Sequence, residues 1–152
     1  MPRKIIVTLP AGHLAASSTQ ALETALQTVY ARHLEDGRPP LVLWCELPAG
    51  QGFVAGAPAA VHMLFVEVAN GLPQPQREEA MLAFAQAYAA GTGVALEQLM
   101  VTLADADTFA AYLQANRGRL HWAARLRFAL GTLWHALRSR RRLGYAQLRA
   151  NL

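Results

Sequence analysis

The 152 residues are 53% hydrophobic, enough apolar side chain for one globular domain with a core of its own. A single cysteine, Cys45, excludes an internal disulfide and any cysteine-built metal site, and its apolar run Leu41–Cys45 suggests a small buried core residue. The net charge of +4 divides unevenly: residues 1–107 hold all ten acids against five Lys/Arg, whereas residues 108–152 hold nine arginines and no acid. The basic balance therefore belongs to a tail, and the mildly acidic body gives no reason to expect a nucleic-acid enzyme.

Pro2 stands behind the initiator methionine and leads into the strand-like run Lys4–Leu9. Removal of Met1 would expose a secondary amine at the start of a strand, a base that no side chain supplies. Pro10 cuts the run short of a signal-peptide core, and no uncharged stretch is long enough to span a bilayer, so a cytoplasmic protein is expected.

After the break at Pro10-Ala11-Gly12, Ser17 and Gln20 have capping-box spacing, and Leu22, Leu26, Val29, Tyr30 and His33 recur with helical period. That predicts a helix from about Thr19 to Leu34, stopped by Asp36-Gly37-Arg38-Pro39-Pro40. Leu41–Leu47 is a second strand, and strand–helix–strand suggests a parallel crossover.

The pattern repeats. A loop and a short extended piece at Phe53-Val54 lead to a strand over Val61–Ala69, in which Met63, Phe65 and Glu67 alternate against Leu64, Val66 and Val68. Gly71–Gln76 reads as a turn, Arg77–Ala90 as a helix and Leu99–Leu103 as a strand. The expectation is an α+β domain built from a duplicated βαβ unit, about 2–47 and 60–104: a four-stranded, mainly parallel-paired sheet with two helices on one face. The other sheet face is apolar too and needs a cover that two helices cannot provide, which predicts oligomerisation.

A leading proline, two βαβ units and this length resemble the tautomerase superfamily, whose fused-repeat members form trimers with active sites around an amino-terminal proline. The segment Glu46–Gly56 looks like a loop of cis-3-chloroacrylic acid dehalogenases, and Leu103–Phe109 is similar to the segment after the last strand of malonate semialdehyde decarboxylases. The resemblance spans roughly residues 2–118, by order and spacing more than identity. It implies a homotrimer without cofactor and a proline amine kept neutral near pH 7 by nearby cations and an apolar wall, moving a proton between the oxygen and the carbon of an enol. Cationic residues would hold the substrate carboxylate and stabilise the enolate oxygen.

The specialised pattern is broken in several places. Where dehalogenases and decarboxylases carry two arginines, the turn here has Gly71, Gln74 and Gln76, with Arg77 beside them. Val29 stands where the dehalogenase histidine would be, and Thr102 and Leu113 replace a tyrosine and a glutamate. Without a water-activating carboxylate and a clamp, neither specialised reaction is expected. The expected activity is keto–enol tautomerisation of a 2-keto acid or related carboxylated enol, with Pro2 as base and Arg38 or Arg77 as partner of the carboxylate or oxyanion.

Arg3 and Lys4 alternate on the first strand, so that one could face the pocket, though ordinary surface charges fit equally well. Asp105 and Asp107 read first as a helix cap. His33 and His62 read as structural, and the five histidines lack metal-binding spacing. Residues 119–152 form a basic appendage in which Trp122, Leu126, Ala129, Leu130, Leu133 and Leu137 line one helix face, interrupted only by Phe128. Packing of that face on the acidic body or a neighbouring subunit is expected first, and contact with an anionic membrane surface second. Nucleic acid comes third, because charge alone allows loose binding and no reading motif is present. A non-catalytic protein of the same fold, using this tail to bind a membrane or a protein, is the alternative function.

Overall fold

The computed structural model describes residues 2–34, 37–118 and 121–148, with the backbone alone at 113 and 116–118. Seven strands and four helices follow in the order β1 (Lys4–Pro10), α1 (Ala16–Leu34), β2 (Leu41–Leu47), β3 (Phe53–Val54), β4 (Ala57–Pro58), β5 (His62–Val68), α2 (Gln74–Thr92), β6 (Leu99–Asp105), α3 (Ala106–Gly118), α4 (Trp122–Leu143) and β7 (Ala146–Leu148). β1 pairs parallel with β2, and β5 pairs parallel with β6. The two units meet along an antiparallel β1–β5 seam, giving the sheet order β6-β5-β1-β2-β7.

The duplication is regular. Each element of the first unit begins 58 residues before its counterpart: Lys4 and His62, Ala16 and Gln74, Leu41 and Leu99. Helix residues that enter the core keep that interval, as Leu26 and Phe84, or Tyr30 and Tyr88, show. Core-facing strand residues match one position later, Ile5 with Leu64 and Val7 with Val66, since a strand shifted by one residue turns its other face inward.

α1 and α2 cover one face of the sheet. Leu22, Leu26, Tyr30, Phe84 and Tyr88 meet Ile5, Val7, Trp44, Leu64 and Val66 in the largest buried cluster. On the other face, Ile6, Leu43, Cys45, Met63 and Phe65 are only half-buried, and Met100 is exposed. Cys45 therefore lies on this second face and not in the core, because odd-numbered β2 residues point away from the helices; burial still pushes its thiol up.

Both central helices start about a turn earlier than the sequence reading. α1 begins at Ala16, so Ser17 lies within its first turn and forms no capping box; Gln20 instead donates to the Leu143 carbonyl at 2.7 Å. α2 begins at Gln74 because Pro75 is compatible with a first turn, and it ends on Gly93 in the left-handed conformation.

The expected four strands are joined by a fifth, β7, parallel to β2 with Leu43 opposite Ala146. This strand sets the attitude of α4. Gly144 closes the helix in the left-handed conformation, and Gln147 N donates to Ser139 Oγ at 2.8 Å, which ties the small polar side of α4 to the body. Tyr145 packs edge-on against Trp44 and donates to Glu46 at 3.2 Å. The expectation that the apolar stripe packs on the chain's own body is thereby overturned: Trp122, Leu126, Leu130, Leu133 and Leu137 are 51–69% exposed. Among the described residues, no helix is long and apolar enough to cross a membrane.

Candidate active site

The start of β1, the start of β2 and the ends of β5 and β6 all lie at one end of the sheet. Pro2 sits there, exposed, one residue before Arg3, whose carbonyl accepts the Leu41 N–H at 2.8 Å. Met1, and with it the state of the proline nitrogen, lies outside the described residues. Arg38, three positions before β2, is exposed at this same end.

A carboxylate gathers the cations that follow Pro2. Glu67 is buried on β5, and its two oxygens meet Lys4 Nζ at 3.1 Å and an Arg3 terminal nitrogen at 3.6 Å. The antiparallel seam makes the meeting obligatory: Ile5 opposes Val66, so Lys4 stands against Glu67 on the same sheet face. The Glu67 carbonyl is held from the helix side by the Tyr30 hydroxyl at 3.1 Å. Lys4 Nζ also lies 5.2 Å from the ring centre of Phe109, a buried residue of α3 that packs on Phe65 at 5.2 Å. Two cations thus face one carboxylate within two residues of Pro2.

Arg77 faces the end of β6 with its guanidinium engaged. One nitrogen donates to the Leu103 carbonyl at 3.1 Å, the other to Asp105 at 2.7 Å and to the Leu72 carbonyl at 3.4 Å. That arrangement offsets the cost of an arginine near a helix N-terminus. Asp105 is spent on this pair, while Asp107, in the first turn of α3, donates its backbone N–H to Asn70 Oδ1 at 3.1 Å. Thr102 is exposed on β6, Val29 is half-buried on α1, and the Leu113 side chain lies outside the described residues.

Arg3 and Lys4 thus meet at one carboxylate, where alternation alone would divide them. Glu67 and Phe109 went unnoticed in the sequence as site residues. The signal for Glu67 was present, an acid on an otherwise apolar strand face, but its meaning depends on the antiparallel seam. An open groove of about 580 Å3 runs between α1 and α2, lined by Val29, His33, Glu79 and Leu82 among others, and it includes none of Pro2, Arg38 and Arg77.

The opposite end of the sheet carries the histidines. His62 is buried at the start of β5 with Nδ1 2.9 Å from the Tyr88 hydroxyl, and its ring stands edge-on to His13 at 4.8 Å. Burial, then the neighbouring His13, lowers the His62 pKa. His33, by contrast, contacts Glu79 on α2 at 3.4 Å. Among the described residues, no group of three or more His, Cys, Asp or Glu could hold a metal ion.

Solved structures with this architecture are numerous. Native Ps01740 superposes with a TM-score of 0.62 at 26% identity, over 67% of this chain and 92% of its own. A fused 4-OT solved as a symmetric trimer gives 0.60 at 26% identity, over 67% and 84%. The fold is that of the fused-repeat tautomerase superfamily, and the likeness supports that superfamily for this chain. N1, a member of the cis-3-chloroacrylic acid dehalogenase family, shares the fold at a TM-score of 0.62 and 19% identity, over 67% of this chain and 73% of its own. No protein-family model matches the sequence, and no curated protein matches it. The superfamily is thus carried by the fold and by low identity, and each superposition leaves a third of this chain without a counterpart.

Proposed function

We propose that the protein is a keto–enol tautomerase acting on a 2-keto acid or related carboxylated enol, with Pro2, freed by removal of Met1, as the general base. The observation that carries this reading is the start of β1, where Pro2 is followed by two cations drawn to one buried carboxylate. The superfamily fold supports it. The neutral secondary amine takes the enol hydroxyl proton while the carbonyl forms, and the former double-bond electron pair collects that proton at the adjacent carbon. Nothing is consumed and no cofactor is required.

Positive charge is needed wherever the substrate carboxylate and the developing oxyanion sit. Arg38 is the cation we assign to the carboxylate, since it is exposed at the Pro2 end. Arg3 and Lys4 add charge near the oxyanion. Arg77 contributes to the same field, with its hydrogen bonds committed to Asp105 and the carbonyls. The uncovered sheet face around Ile6, Leu43 and Met63 supports assembly with further copies, and a fused 4-OT forms a symmetric trimer. A homotrimer is therefore our reading, and light scattering should return three times the 16.5 kDa chain mass.

The test is enol-to-keto conversion of phenylenolpyruvate by the mature protein beside Pro2→Ala, after mass spectrometry has confirmed loss of Met1. A loss of about a hundredfold or more supports the reading. Equal rates in both proteins, or none in either, would refute proline catalysis on this substrate class.

A further inference from the structure

The outward face of α4 is an exposed apolar feature that the proline site leaves unused. Trp122, Leu126, Leu130, Leu133, Trp134 and Leu137 fall within about 120° of the helix circumference and extend about 22 Å along it. All six are 51–69% exposed. The body is held from the other side, through Ser139 and the half-buried Thr132, His135, Ala136 and Leu143. Docking of α4 on its own subunit therefore leaves the stripe uncovered.

Charge narrows the choice of occupant. Six arginines lie in Trp122–Leu143 with no acid among them. Arg127 and Arg138 border the stripe on one side and Arg140 on the other, while Arg141 and Arg142 make the last turn basic. Two copies of this face laid together would set Arg127, Arg138 and Arg140 of one against those of the other with no acid on either helix, which costs energy. A fitting surface must accept leucine and tryptophan to a shallow depth and present negative charge around them. Acidic lipid headgroups over the acyl boundary do both, and tryptophan rings are suited to that level. Six charges exclude burial across a bilayer, so the helix would lie in the surface plane.

We propose that α4 docks the protein on anionic membrane surfaces, with its leucine–tryptophan stripe inserted at the headgroup boundary and its arginines paired with acidic lipids. This goes beyond the tautomerase reading and does not depend on it. Each arginine near such a surface strengthens binding about fivefold, and salt weakens the contribution.

The test uses the full chain with vesicles of phosphatidylcholine alone and with phosphatidylcholine carrying about one-third phosphatidylglycerol. Flotation gives binding. Tryptophan emission reports insertion, because Trp122 and Trp134 are exposed and Trp44 is fully buried. Binding to the anionic vesicles with a blue shift is expected, weaker by about tenfold or more on neutral vesicles and on raising salt from about 0.1 to about 0.5 M. Leu130→Ser with Leu133→Ser should weaken it at least about tenfold while leaving the thermal melt and phenylenolpyruvate turnover unchanged. Absence of flotation with anionic vesicles would overturn the proposal, as would equal binding by the variant. Dissociation of a lipid-free assembly by the same substitutions would overturn it too, assigning the stripe to a neighbouring copy.

Discussion

The two βαβ units have elements of equal length and very different strand starts. Ahead of the core-facing Ile5, β1 offers Pro2, Arg3 and Lys4; ahead of its counterpart Leu64, β5 offers Val61, His62 and Met63. The matching tyrosines of the two helices diverge in the same way. Tyr30 holds the Glu67 carbonyl beside the cations, whereas Tyr88 closes on a buried His62. One end of the sheet gathers charge next to a potential free amine, and the other buries the paired rings of His62 and Tyr88. Duplication thus provides two equivalent places in the fold, and a few side chains set them apart.

If the halves differ only in their strand ends, they share one core. Phe84→Ala in α2 and its counterpart Leu26→Ala in α1, both fully buried, should each unfold in a single transition, the first losing about 3–5 kcal/mol and the second about 2–5 kcal/mol. Urea denaturation followed by tryptophan emission and far-UV circular dichroism would check it; two separated transitions would mean that the units fold apart.

A smaller effect belongs to the histidine end alone. His62 has its pKa lowered in the folded state, so the unfolded chain binds more protons as pH falls through the ordinary histidine value of 6.5. Stability from this residue is present above that value and declines as pH falls below it. Melting temperatures across this range should fall with pH in the native protein, and His62→Gln should flatten the decline.

The smallest effect concerns the β3–β4 hairpin that links the halves. Its two-residue turn places Ala55 at φ 50° and Gly56 at φ 79°, and a left-handed alanine is strained. Ala55→Gly should raise stability by about 0.5 kcal/mol if relief of that strain exceeds the added flexibility of the unfolded chain. Thermal melts would decide.

These comparisons mark how far the sequence could be read. Period-two alternation in Val61–Ala69 and period-3.6 spacing in Leu22–Tyr30 are local, and they gave the repeat and the core faces directly. Joining β1 to β5 is not local, and without it the meeting of Lys4 and Glu67 has no sequence signature. Arg77 reads in the sequence as a partner for the substrate carboxylate or oxyanion, because its bond to Asp105 spans 28 positions and has no local sequence signature. The tail misled for a similar reason. Its stripe was legible, but β7 is only three residues long, and the bond from Gln20 to Leu143 spans 123 positions. Those contacts, and not the helix period, turn the stripe outward.

The central claim is that chemistry sits at the β1 end and not at its pseudo-symmetric partner. Phenylenolpyruvate turnover by Pro2→Ala and His62→Gln, measured side by side with Met1 loss verified in each protein, tests it most directly. A loss of about a hundredfold or more in Pro2→Ala, with His62→Gln within a few-fold of the parent, is the predicted result. Full activity in Pro2→Ala, or a collapse confined to His62→Gln, would contradict it.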